Sequence, residues 1–210
     1  MVKVIMTFVV GVFLLALAAP AVAAEQGVAT KLLLVKDPPS GPAARKILWK
    51  VKETNDDGDL SLVGDPVSGG ATLRITLAVS NHCSNPPCDT GGGDQCFALP
   101  ASGWSPIGSI GFKYKDSTLA NGAVKVASIK QTPSGMFLIK AVLQGAGIAI
   151  FLEDEIGYYG LSLAIGGGDA YYTGSGGAEP NPNDTQTFKV KNETGYASAA
   201  ACSPSGAFVD

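Results

Sequence analysis

The sequence predicts an all-β fold, an antiparallel β-sandwich or jelly roll of about ten strands. Three observations carry that expectation. Several stretches alternate apolar and polar residues with period two. Glycine, 27 of 210 residues, runs at nearly twice its usual share of about 7%, while charged side chains make up only 16%. Turn-forming clusters separate the alternating stretches, among them Asp37-Pro38-Pro39-Ser40-Gly41-Pro42, Asn121-Gly122, Pro133-Ser134-Gly135 and Glu179-Pro180-Asn181-Pro182-Asn183-Asp184.

The chain opens with Lys3, an uncharged and mainly apolar run from Val4 to Ala19, then Pro20 and the small residues Ala21-Val22-Ala23-Ala24. A basic start, an apolar middle and a small-residue end are what the export machinery reads, so residues 1–24 are expected to be a signal peptide cleaved after Ala23 or Ala24. The rival is an uncleaved anchor, since roughly 20 apolar residues span a bilayer. Pro20 and the absence of a basic residue before Lys31 favour cleavage. The protein is therefore expected to be secreted, periplasmic or extracellular, with no membrane attachment after processing. Residues 25–210 are expected to form a single β-rich domain with a short tail from about residue 195.

Strands are expected in order near 31–36, 45–53, 60–63, 71–80, 107–115, 123–131, 136–144, 147–152, 158–165 and 186–191. In the second, Ile47, Trp49 and Val51 share one face and Lys46, Lys50 and Lys52 the other. In the fourth, Leu73, Ile75, Leu77 and Val79 line up the same way. Ile110, Phe112 and Tyr114 are set against Lys113 and Lys115, and Phe188 and Val190 against Lys189 and Lys191. Phe137 to Leu152 competes as a helix, but Gly145, Gly147 and the β-branched residues favour two strands. Neighbouring strands are expected to pair antiparallel.

Between strands lie the residues with chemical interest. Asn55, Asp57 and Asp59 carry oxygen donors at alternate positions of a run ending near Gly58, a partial match to a calcium loop. Gly64 stands where an EF-hand places its bidentate Glu, so an ordinary Asp-Gly turn is preferred to a calcium site. Four cysteines, Cys83, Cys88, Cys96 and Cys202, are an even number in an exported chain, and disulfides are expected. The favoured pairing is Cys83 with Cys88 and Cys96 with Cys202; a metal site with His82 is the rival, weakened by the missing C-x2-C knuckle. His82 is the only histidine, and no G-x-S-x-G elbow accompanies it, so no catalytic triad is expected. The runs Gly91-Gly92-Gly93-Asp94 and Gly166-Gly167-Gly168-Asp169 lack the Lys-Ser/Thr of a phosphate loop and read as flexible turns.

Glu153-Asp154-Glu155 is the densest acidic cluster, and paired carboxylates suffice for glycoside hydrolysis. Convergence of these acids with Tyr158, Tyr159, Tyr171 and Tyr172 on a concave face would mark an enzyme. Scatter over solvent-facing turns would mark a binding module. Without Lys3 the chain has 14 basic against 18 acidic side chains, and its lysines are spread along the sequence, which argues against a nucleic-acid partner.

Cys96-Phe97-Ala98-Leu99-Pro100-Ala101-Ser102-Gly103-Trp104, Gly111-Phe112-Lys113-Tyr114-Lys115-Asp116, Phe188-Lys189-Val190-Lys191-Asn192 and Cys202-Ser203-Pro204 together resemble a recurrent exported domain of environmental bacteria, of uncharacterised function. The resemblance covers most of the chain after the leader and implies no catalytic residues. Related copies often carry further cysteines where this chain has Ala123-Val124 and Val142. The expected function is an exported structural or binding module, associated with a cell surface or matrix and taking a polysaccharide or cell-surface component as partner, without a cofactor unless calcium binds at Asn55, Asp57 and Asp59. An extracellular glycosidase-type hydrolase is the alternative.

Overall fold

The computed structural model describes residues 25–54, 60–62, 64–79, 92–166, 170–175 and 179–194. Its twelve strands are β1 (Glu25–Gly27), β2 (Thr30–Lys36), β3 (Lys46–Thr54), β4 (Ala71–Val79), β5 (Gly93–Leu99), β6 (Trp104–Pro106), β7 (Gly111–Lys115), β8 (Val124–Gln131), β9 (Met136–Gln144), β10 (Ile156–Ile165), β11 (Ala170–Gly174) and β12 (Thr187–Glu193). They form a five-stranded sheet, β1-β11-β10-β4-β5, and a seven-stranded sheet, β12-β2-β3-β9-β8-β7-β6. All pairings are antiparallel except that of β1 with β11, which is parallel. The fold is an all-β sandwich. No helix among the described residues is long and apolar enough to cross a membrane.

Alternation in the sequence becomes an inner and an outer face. β4 buries Leu73, Ile75, Leu77 and Val79, and β3 buries Ile47, Trp49 and Val51 between exposed Lys46, Lys50 and Lys52. β12 buries Phe188 and Val190. The two inner faces meet through aromatic pairs. Phe137 of β9 lies 5.2 Å from Tyr171 of β11, centroid to centroid, and Phe188 of β12 meets Tyr159 of β10 edge-on at 5.7 Å. Each such buried side chain contributes roughly 1.5–3 kcal/mol by leaving water.

Two expected strands are not strands. Over 60–62 the backbone is held by side chains instead of a neighbouring ladder: Gln26 Nε2 donates to Ser61 O at 3.3 Å, Ser61 N donates to Gln26 Oε1 at 2.8 Å, and the Tyr171 hydroxyl donates to Ser61 O at 2.6 Å. Over 147–152 the apolar alternation is real, with Ile148, Ile150 and Leu152 buried and Phe151 exposed. The segment nevertheless has no strand partner among the described residues. The Gln95 amide donates to Gly147 O at 2.8 Å and accepts from Ala149 N at 2.7 Å. Arg45 donates to Ile148 O at 3.0 Å, and Asp37 accepts from both Leu152 N and Arg45 Nε. This clamp lays residues 147–151 along the free edge of β5, where Phe151 N donates to Gly92 O at 3.3 Å.

The strand expected over 107–115 begins only at Gly111, because Ile107 to Ile110 closes a turn through a 3.1 Å hydrogen bond with Gly108 at φ +54°. β5, rich in Gly, Asp, Gln and Cys, and the short β1, β6 and β11 were not expected. The outer edge of β12 is covered by its own approach segment: Asn181 N donates to Lys189 O at 2.7 Å and Lys189 N to Pro182 O at 2.9 Å.

Candidate functional site

The register of the seven-stranded sheet gathers lysines that are far apart in sequence. Inward-facing Ile47, Trp49, Val51, Ile129, Ile139 and Tyr114 fix the phase of their strands. The alternate residues on the outer face include Lys36, Lys46, Lys50, Lys52, Lys113, Lys115, Lys130, Lys140, Lys189 and Lys191, ten of the thirteen lysines in the chain. The acids of these strands are elsewhere. Glu53 accepts from Ala29 N at 2.9 Å and Glu193 is buried at 1% exposure. The lysines that read as spread in the sequence are thus concentrated on one surface.

Two pairs stand directly opposite each other across neighbouring strands, Lys36 with Lys46 and Lys50 with Lys140. Ion pairs among the described residues are Arg45 with Asp37 and Arg74 with Asp94, neither of which involves this face. Like charges directly opposed in a sheet are unfavourable by about 0.2–1 kcal/mol a pair. Between the lysine rows runs an aliphatic one. Leu34, Leu48, Val142 and Val126 are successive cross-strand neighbours on β2, β3, β9 and β8, all half-buried, with Lys189 beyond one end and Lys115 beyond the other. Lys36 and Lys46 border this row on one side and Lys50 and Lys140 on the other.

The residues singled out in the sequence fare differently. Asn55, Asp57 and Asp59, and likewise Cys83, Cys88, Cys202 and His82, lie outside the described residues. Cys96 sits on β5 in register with Arg74. Among the described residues no group of three His, Cys, Asp or Glu side chains could hold a metal ion. Glu153, Asp154 and Glu155 occupy an exposed bend. The four tyrosines do not line a common surface: Tyr159 and Tyr171 are buried in the core, whereas Tyr158 and Tyr172 lie on the opposite face of their sheet. Trp49 and Trp104 are core residues, the latter donating to Leu99 O at 3.2 Å.

Other polar clusters are built for architecture. Asp116 accepts from Asn121 N at 2.7 Å, Ala120 N at 3.1 Å and Thr118 Oγ1 at 3.2 Å, tying the loop between β7 and β8. The Asn121 backbone N–H contributes most to holding this carboxyl below its usual pKa, against the opposing effect of burial. Arg74 and Thr76 both donate to Asp94 on the outer face of the five-stranded sheet, and the Asp94 hydrogen bond pushes the guanidinium pKa up. Ser162 Oγ, in register with Arg74, is buried without a hydrogen-bond partner among the described residues. Burial, and then the Glu193 carboxylate, push the Tyr159 hydroxyl well above the usual tyrosine range.

No family model, no curated protein and no solved structure matches the chain.

Proposed function

We propose that this protein is an exported, non-catalytic binding module whose working surface is the lysine-bearing outer face of the seven-stranded sheet, engaging an anionic component of a cell surface or matrix. The observation that carries the reading is the direct opposition of Lys50 to Lys140 and of Lys36 to Lys46, none of which forms an ion pair with an acid among the described residues. A sequence that keeps like charges opposed retains a local cost that a bound anion removes. Concentrating positive charge on one face of a chain with net charge -3 also gives the molecule an oriented field, which steers anionic partners to that face.

The test is binding to a generic polyanion, sulfated dextran, by titration calorimetry. Wild-type protein is expected to bind, with affinity falling steeply as salt rises from about 50 to 200 mM. Lys50→Gln/Lys140→Gln is expected to bind at least about tenfold more weakly, a loss of roughly 1.4 kcal/mol. Equal binding by the two proteins would sink the reading.

A further inference from the structure

The row of aliphatic side chains gives this face a direction. Strands in a sheet are about 4.8 Å apart, so Leu34, Leu48, Val142 and Val126 mark a track about 14 Å long, and Lys189 and Lys115 extend it to about 24 Å. Residues two apart on a strand are separated by about 6.8 Å, which sets the lysine rows on either side of the track. Lysine stems rise above the pleat and carry their ammonium groups over its margins. The floor is apolar and narrow, with Lys36 and Lys46 on one side, Lys50 and Lys140 on the other, and Leu32, Gln144 and Ser128 completing its margins.

Building on the anion-binding reading above, we infer that this track takes a linear acidic polysaccharide laid across the strands, its carboxylates meeting the flanking lysines and its sugar C–H faces resting on Leu34, Leu48, Val142 and Val126. Gln144, beside Lys46, and Ser128, beside Lys140, place an amide and a hydroxyl among the lysines, where sugar hydroxyls need partners. Three features favour this ligand over other polyanions. Single-stranded nucleic acid is held by stacking its bases on aromatic rings, and the aromatics of these strands, Trp49, Phe112, Tyr114, Phe137 and Phe188, all point to the core side. Arginine, the usual fork for phosphate, takes no part in this face: the chain's two arginines, Arg45 and Arg74, pair with Asp37 and Asp94. An anionic bilayer is locally flat, whereas neighbouring strands rotate by roughly 20–25° each, so the five steps from β12 to β7 turn the face through roughly 100° or more. A flat surface touches only part of that saddle. A flexible chain follows it.

The experiment uses the processed full chain and four probes: polygalacturonate, its methyl ester, phosphatidylglycerol vesicles and a single-stranded oligothymidylate. Polygalacturonate is expected to bind and its uncharged ester to bind at least about tenfold more weakly, as carboxylate recognition demands. Lys50→Gln/Lys140→Gln is expected to lose about tenfold in affinity while Lys50→Arg/Lys140→Arg keeps it, both with unchanged circular dichroism. Val142→Glu, which puts a negative charge on the track floor, is expected to abolish binding. Tighter, equally lysine-dependent binding to the vesicles or the oligonucleotide would overturn the polysaccharide assignment and leave the anion-binding face standing. Failure to bind any of the charged probes, binding indifferent to Lys50 and Lys140, or salt-sensitive self-association in their place would overturn both.

Discussion

The indole N–H of Trp49 donates to the hydroxyl of Thr30 at 3.0 Å in the core, and Thr30 in turn donates to Thr173 of the opposite sheet at 3.2 Å. All three residues are fully buried. One hydroxyl therefore satisfies the polar end of the largest fully buried side chain and ties the two sheets together. Thr30→Val keeps the shape and strands the indole N–H, so it is expected to cost about 1–3 kcal/mol in urea denaturation. In the Thr30→Val/Trp49→Phe double variant both partners are gone, and the total is expected to be smaller than the sum of the single losses. Strict additivity would mean that the two groups are not energetically linked.

Lys140→Gln is expected to raise the melting temperature at low salt, because it relieves the opposition to Lys50; the gain should correspond to about 0.2–1 kcal/mol. Near 1 M salt, where the screening length is about 3 Å, the difference should shrink towards zero. A variant less stable than the parent at low salt would show that the ammonium group makes a favourable contact in the free protein.

Asp116 has a lowered pKa, so its contribution is fully present above the unfolded value of about 3.9 and is lost as pH falls through the lower folded value. Asp116→Asn is expected to melt at lower temperature than wild type at pH 7. The gap should begin to narrow as pH falls below about 4 and close only below the depressed folded value. A gap in melting temperature that is constant across this range would mean that the loop bonds do not depend on the charge.

Gly103 stands against the ring of Tyr114, and a Cβ added there runs into ring carbons. Gly103→Ala is expected to destabilise by about 1–3 kcal/mol, the usual cost of overpacking a filled core. Calorimetry reads it, and an unchanged transition would show that the Tyr114 ring swings aside freely.

For the disulfides we propose Cys83 with Cys88 and Cys96 with Cys202, to be checked by non-reducing peptide mapping. The longer bridge would close about 107 residues, for which chain entropy gives roughly 4–5 kcal/mol. Cys202→Ser is therefore expected to lower the melting temperature more than Cys88→Ser. A Cys88–Cys96 peptide would refute the pairing.

The sandwich was legible because burial writes itself into sequence with period two. Leu73 to Val79 and Ile47 to Val51 needed only their alternation to be placed. The same rule misread 147–152, where Ile148, Ile150 and Leu152 alternate correctly but Gln95, Arg45 and Asp37 hold the backbone in place of a neighbouring strand. It passed over β5, whose polar positions Asp94 and Gln95 are used for side-chain hydrogen bonds that no local pattern signals. The lysine face was half visible: each strand showed its lysines facing away from the core, yet their gathering depends on the order of strands in the sheet. Lys50 and Lys140 are neighbours only because β3 pairs with β9. A scan for basic runs along the chain could not have found them; summing the outward residues of every lysine-bearing strand would have.

The edges of the two sheets limit how copies of this molecule can associate. β5 is fenced by the Gln95-held segment and β12 by residues 181–183, while β1 and β6 are three residues long and β6 ends in Pro106. Short, proline-ended or covered margins offer little template for a further strand. Growth into fibrils by backbone zipping is thereby discouraged at each of these margins. Copies of the molecule can therefore sit side by side at high local density while each sandwich stays a closed unit.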